Sequence, residues 1–241
     1  MPPPPPLPTG SVASKKRSPV LLVAILAGAL LLAVSIIGIL AAILIPTVGK
    51  VRETAHRTLD ATHLRQIVQA SLIHAIEHDG RLPTHDDCDG DIRRLAALLA
   101  RTGGLNDASV WLHHADARDT DAALIALPEG GTAPLADFSR HTALAWDYVV
   151  GLDLTASPTT PVAWTRGLRS DGRWSADSVY RGEGGHIAFL GGNVVFFTDL
   201  AQEPLHLPDG SVTSDILRTL PPGASVIGAG PGTLAGATAA P

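Results

Sequence analysis

The sequence predicts an α+β fold, a long N-terminal helix with a membrane half and an amphipathic half, packed on a small antiparallel sheet. Three observations carry that prediction. Positions 20–45 contain no charged residue over 26 consecutive places. Apolar residues then recur at helical spacing as far as Ala75. Short runs rich in β-branched and aromatic residues follow, the last two joined by Gly191-Gly192-Asn193, a turn whose glycines accept positive φ.

The elements follow in order along the chain. Residues 1–18 open with "MPPPPPLPTG" and close with the basic cluster Lys15, Lys16 and Arg17. Proline at this density favours an extended polyproline conformation, so a disordered tail is expected. A transmembrane helix is expected over 19–48, because the uncharged run exceeds the roughly 20 residues that cross a bilayer. At about 1.5 Å per residue it measures roughly 39 Å against a ~30 Å hydrocarbon core, which implies tilt. The run is too long for the apolar core of a cleaved signal, and it lacks the polar face that a helix of a soluble protein keeps. Within it Gly28, Ala29, Ala33, Gly38, Ala41 and Ala42 are small enough to let helices approach closely in lipid. Pro46 removes a backbone donor and predicts a kink.

Residues 49–80 read as the amphipathic continuation of the span. Val51, Ala55, Leu59, Leu64, Val68, Leu72 and Ala75 form the apolar series, whereas Arg52, Glu53, Arg57, Asp60 and Arg65 occupy other faces. Gly80 and Pro83 end the helix. Residues 81–220 read as an outward-facing α+β sheet domain. It opens with an amphipathic helix in "DIRRLAALLARTGG", with Asp91 near its start and Gly103-Gly104 beyond its end. Strand candidates begin at Ala122, Ala143, Val162, His186 and Val194. Residues 221–241, "PPGASVIGAGPGTLAGATAAP", have the composition of a second disordered tail.

Chemistry is sparsely encoded. The acidic stretch 85–91 could turn around a cation, but Arg93 and Arg94 follow where a calcium loop needs a closing acid. A zinc site through His85 and Cys88 lacks a second ligand pair. His74 and His78 stand four apart without the glutamate of a metalloprotease helix, and His113-His114 with Asp116 has no evident partner, so the histidines are expected to titrate as exposed groups. Neither a nucleophile elbow nor a phosphate-binding loop is present. Hence no catalytic residue, metal or other cofactor is assigned, and neither a small-molecule substrate nor nucleic acid is expected, the latter because the net charge is -5. Cys88 is the single cysteine and can form no intrachain disulfide. The four tryptophans, at 111, 146, 164 and 174, are expected to fill the core of a domain otherwise poor in aromatics.

Positions 36–83, "IIGILAAILIP" followed by "VGKVRETAHRTLDATHLRQIVQASLIHAIEHDGRLP", resemble the N-terminal helix of type IV pilin-like proteins and type II secretion pseudopilins. The hairpin "VYRGEGGHIAFLGGNVVFFTD" is similar in shape to the C-terminal hairpin of one bacterial subset of that family. The Asp and Gly of its turn correspond here to Gly191 and Gly192, a following His to Asn193, and a more distant His to Arg181. The family is cleaved after a glycine that precedes an aromatic residue, and it carries a glutamate at the fifth mature position. Those places hold Ala24, Ile25 and Ala29. An acid in lipid is costly unless paired, and an uncut chain offers no new amino terminus to pair it, so alanine at position 29 is consistent with an intact leader.

Lys15, Lys16 and Arg17 before the span balance Lys50, Arg52 and Arg57 after it, so charge leaves the orientation open. The resemblance implies a single-pass protein of the bacterial inner membrane, with the N-terminus cytoplasmic and the sheet domain periplasmic or extracellular. It also implies a structural or assembly component of a type II secretion or type IV pilus-like apparatus. Its partners would be the membrane and either further copies or other pilin-like subunits, met through the N-terminal helix. The alternative is a membrane-anchored periplasmic module that never polymerises and binds a protein or glycan; an enzyme ranks below both.

Overall fold

The computed structural model describes residues 19–113, 144–207, 209–229 and 234–239; the side chains of 19–22, 24–25, 41 and 43–50 lie outside the described set. The chain divides into two compact units, Met1–Glu53 and Thr54–Pro241. Helix α1 (Pro19–Glu77) contributes to both. In the first unit its described side chains are exposed, Leu30, Leu31 and Ile37 among them. Among the described residues no helix is long and apolar enough to cross a membrane. The span predicted over 19–48 lies partly outside the described side chains, as do Ala41 and Pro46.

In the second unit α1 buries one face made of Asp60, Leu64, Ile67, Val68, Ser71 and His74. The helix ends in a reversal in which Gly80 N–H donates to the Ala75 carbonyl at 2.8 Å, with Gly80 at φ +80°. Helix α2 (His85–Cys88) is a single turn opened by a reciprocal cap between Thr84 and Asp87. Helix α3 (Ile92–Thr102) starts at Asp91, whose carboxylate accepts from Arg93 N–H at 2.8 Å. It buries Ile92, Leu95, Ala96 and Leu99. Its far end abuts α1 at Gly103, where a Cβ would come within 2.6 Å of the Ala70 Cβ.

The sheet is antiparallel throughout, with order β4-β3-β2-β1-β7. Its strands are β1 (Trp146–Val150), β2 (Pro161–Thr165), β3 (Gly185–Phe189), β4 (Val194–Phe197) and β7 (Ser225–Gly228). A separate two-stranded ladder joins β5 (Leu205–His206) to β6 (Val212–Thr213). β1, β2 and β3 are buried at every position, so both faces of the sheet are covered there. Tyr148 of β1 ties the sheet to α1: its hydroxyl donates to Ser71 Oγ at 2.8 Å, and Ser71 in turn donates to the Ile67 carbonyl. All four tryptophans are buried. Trp146 Nε1 donates to the Val110 carbonyl at 2.7 Å and Trp174 Nε1 to the Thr165 carbonyl at 3.3 Å.

Three expectations are corrected. Residues 221–241 are not a disordered tail in their described part: β7 pairs with β1 over Asp147–Val150, and Ala224, Val226 and Ile227 are buried. Composition misses this because the residues that satisfy β7 stand some eighty places earlier in the chain. The apolar face of the helix is also displaced from the predicted one. Leu59 is 45% exposed, while Asp60, placed on a polar face, is buried at 1%. Finally, His74, His113 and His186 are buried rather than exposed. The strand expected from Ala122, together with His114 and Asp116, lies outside the described residues.

Candidate functional site

The β3–β4 hairpin turns through Leu190, Gly191 and Gly192. Phe189 N–H donates to the Asn193 carbonyl at 3.0 Å and Gly192 N–H to the Phe189 carbonyl at 2.8 Å. Gly192 sits at φ +84° in open space, the left-handed place that a three-residue hairpin loop requires. Gly191 has a different duty: its N–H donates to the Pro158 carbonyl at 2.8 Å, and a Cβ there would press to 3.1 Å from the same oxygen. The hairpin tip is thereby fixed to the loop before β2.

β4 is an outer strand of the sheet, half exposed along its length. Its side chains alternate between two grooves, as the period of a strand demands. Val194 and Phe196, with His186 of β3, face α1 across an open groove of about 280 Å³, whose far wall includes Arg57, Thr58, Thr62 and Arg65. Val195 and Phe197, with Phe189, line a larger groove of about 470 Å³ completed by Glu203, Pro204 and Leu205. The second groove is mostly apolar, with Glu203 held at 3.5 Å by the Thr198 hydroxyl.

Behind the first groove lies a buried polar cluster drawn from four parts of the chain. Asp60 of α1 accepts a hydrogen bond from the Tyr180 hydroxyl. His186 Nδ1 is 3.2 Å from the same hydroxyl oxygen, and His113 Nε2 is 3.8 Å from Asp60 Oδ2. Because the one proton of Tyr180 points to Asp60, its oxygen can only accept from His186, which assigns the His186 proton to Nδ1. Arg57 closes the cluster from the solvent side. Its guanidinium lies 4.6 Å from the Phe196 ring centroid and 3.0 Å from Glu183.

Burial sets the charge states. Desolvation pushes the Asp60 carboxyl up to about 6, against the opposing pull of the Tyr180 hydrogen bond. Desolvation, reinforced by the Arg57 charge, pushes His186 down to about 4. Tyr180 is raised above its ordinary value, first by desolvation and then by the Asp60 charge. Near neutral pH the cluster therefore holds a desolvated carboxylate beside a neutral imidazole. Asp60, His113 and His186 are all under 10% exposed, and the cluster ties α1 to the sheet.

The other sequence-derived candidates scatter. Gly28, Ala29, Ala33, Gly38 and Ala42 all lie on the exposed surface of the first unit, and neither glycine has anything within 4 Å of a built Cβ. His74 and His78 stack with ring centroids 3.8 Å apart, His74 against Thr102 at 3.0 Å. Cys88 is buried and its thiol is pushed up to about 11 by desolvation. Among the described residues no three potential ligands converge on a metal position. Sequence reasoning missed the Asp60 cluster. Its signal was the spacing 60, 64, 67, 71, 74, which puts Asp60 in line with the core residues of α1. No family model, curated protein or solved structure matches this chain.

Proposed function

We propose that this protein is a membrane-anchored, pseudopilin-like structural component of a secretion- or pilus-type apparatus, with its sheet domain facing outward. One observation carries the reading. The helical segment that buries Leu64, Ile67, Val68 and Ser71 in an antiparallel sheet domain is preceded in sequence by the uncharged run 20–45. A run of that length has lipid as its natural solvent. The stripe of small residues from Gly28 to Ala42 then offers helix-to-helix packing inside it.

The test uses the full chain with Cys88→Ser and single cysteines placed at Gly38 or Ala42, which share a helix face, oxidised in isolated membranes. Covalent dimers at these positions, and none from a cysteine at Leu40 on the opposite face, are expected. A protein that remains in the soluble fraction would sink the anchor. A membrane-bound protein without crosslinks would favour the second reading, a non-polymerising binding module. That reading draws support from Ala24 and Ala29 at the places where processing and pairing residues are expected, and from the outer strand β4. Intact mass of the extracted chain separates the two further. A start at Met1 or Pro2 supports the module, and trimming within 24–29 supports assembly.

A further inference from the structure

We propose that the outer edge of β4 is a docking site for an extended peptide segment of a partner protein, one that alternates apolar and acidic side chains and joins the sheet as a sixth strand. The inference concerns the second unit alone and holds whether or not the N-terminal helix assembles.

Three observations converge. The first is the backbone. Phe189 and Asn193 form a hydrogen-bonded pair across the hairpin, so by ladder alternation Val194 and Phe196 direct their N–H and C=O groups away from β3. Among the described residues those groups meet no partner. No charge, proline or bulge blunts the strand, which reads Val-Val-Phe-Phe.

The second is the pair of grooves. An added strand continues the alternation of β4, so its side chains fall in turn beside Val195 and Phe197 in the apolar groove and beside Val194 and Phe196 in the groove under α1. The same occupant therefore meets two different chemistries at successive positions.

The third is charge. The groove under α1 presents Arg57 and Arg65 with the hydroxyls of Thr58 and Thr62. Arg57 is engaged by Glu183, whereas Arg65 is exposed and makes no ion pair or hydrogen bond among the described residues. The groove thus carries one unbalanced positive charge, which suits a carboxylate; the Thr58 and Thr62 hydroxyls already donate to the Thr54 and Thr58 carbonyls at 2.9 Å. On the opposite side Glu203 repels an acid and leaves that groove to apolar side chains. Main-chain pairing supplies affinity and the two grooves supply the choice of sequence.

The experiment measures binding of a fluorescent peptide, Val-Glu-Val-Glu-Val with blocked ends, to the detergent-solubilised full chain by anisotropy. Saturable binding is expected, with a lysine-for-glutamate peptide weaker by roughly tenfold, the worth of one charge-assisted hydrogen bond. Arg65→Glu lies on the exposed side of α1 and should reverse that preference. A peptide of the same sequence methylated on the two glutamate nitrogens, which would face Val194 and Phe196, keeps its side chains but loses its donors to β4, and it should not bind. Equal binding of the methylated peptide, indifference to Arg65→Glu, or no binding of the acidic peptide would each overturn the proposal. So would competition by self-association, seen as dimers that the peptide cannot dissociate, since the edge would then serve a second copy.

Discussion

At Asp60 and His186 two shifted groups face each other through Tyr180 and pull stability in opposite directions. Asp60 rises from 3.8 to about 6 on folding, so its contribution is fully present below 3.8 and is lost as pH rises through 6. His186 falls from 6.5 to about 4, so its contribution is present above 6.5 and is lost as pH falls through 4. Each shift corresponds to about 3 kcal/mol, and across pH 4–6 they offset each other. Asp60→Asn keeps an acceptor for Tyr180 but removes the compensating group. Relative to the unaltered protein, its stability should fall by roughly 3 kcal/mol more between pH 6.5 and 4. Urea unfolding of the solubilised chain, followed by tryptophan fluorescence, checks this; parallel pH profiles would show that the pair is not coupled to folding as described. The shifts of His63 and His74, both lowered by burial, act on both proteins and drop out of the comparison. Tyr148→Phe is simpler. It removes the hydroxyl that donates to Ser71 and should cost about 1–2 kcal/mol at any pH below the tyrosine range.

Between elements, the contact of α1 with the end of α3 depends on the missing side chain of Gly103. Its φ of -106° is open to any residue, so the constraint is steric: a methyl would stand 2.5 Å from the Ala70 carbonyl oxygen. Gly103→Ala should destabilise by about 1–3 kcal/mol, as overpacking does. Gly192 is the converse case, with open space but a positive φ, so Gly192→Ala should cost about 1 kcal/mol through backbone strain alone. Thermal melts of the two variants measure both costs. Ala70→Gly should not rescue Gly103→Ala, because the Ala70 carbonyl oxygen and Cα would still stand 2.5 and 2.7 Å from the added methyl, and it should leave Gly192→Ala unchanged. The turn at Gly192 and the cap at Asp91 are legible in sequence because each is decided by one residue and its near neighbours. The Asp60 cluster is not, since its partners come from positions 113, 180 and 186.

For the molecule as a whole, the C-terminal segment decides whether the domain closes. β7 pairs with β1 from Asp147↔Gly228 to Val150↔Ser225, and Ala239 N–H returns to the Ala224 carbonyl at 3.0 Å. Truncation after Leu220 would expose the edge of β1, a strand buried at all five positions. The truncated chain should lose its cooperative fluorescence transition and become protease-sensitive throughout 144–220. A truncated chain that melts as the full one does would mean that β7 contributes little.

The sequence by itself determined whatever depends on neighbours a few residues away. That includes the helix of "DIRRLAALLARTGG" with its Asp91 cap, the breakers after α1, and the β3–β4 turn. It also determined the mixed helix-and-antiparallel-sheet class, because strand and helix periods are local. Tertiary structure decided the rest. It recruited "SVIG" from a Gly/Ala/Pro-rich segment into the sheet, turned Asp60 inward, buried three histidines, and left β4 at an edge between an apolar and a basic groove. Each of these is a pairing between residues distant in the chain. A strand's partner, a buried carboxylate's donor and an edge's exposure are properties of what packs alongside, which local composition does not encode.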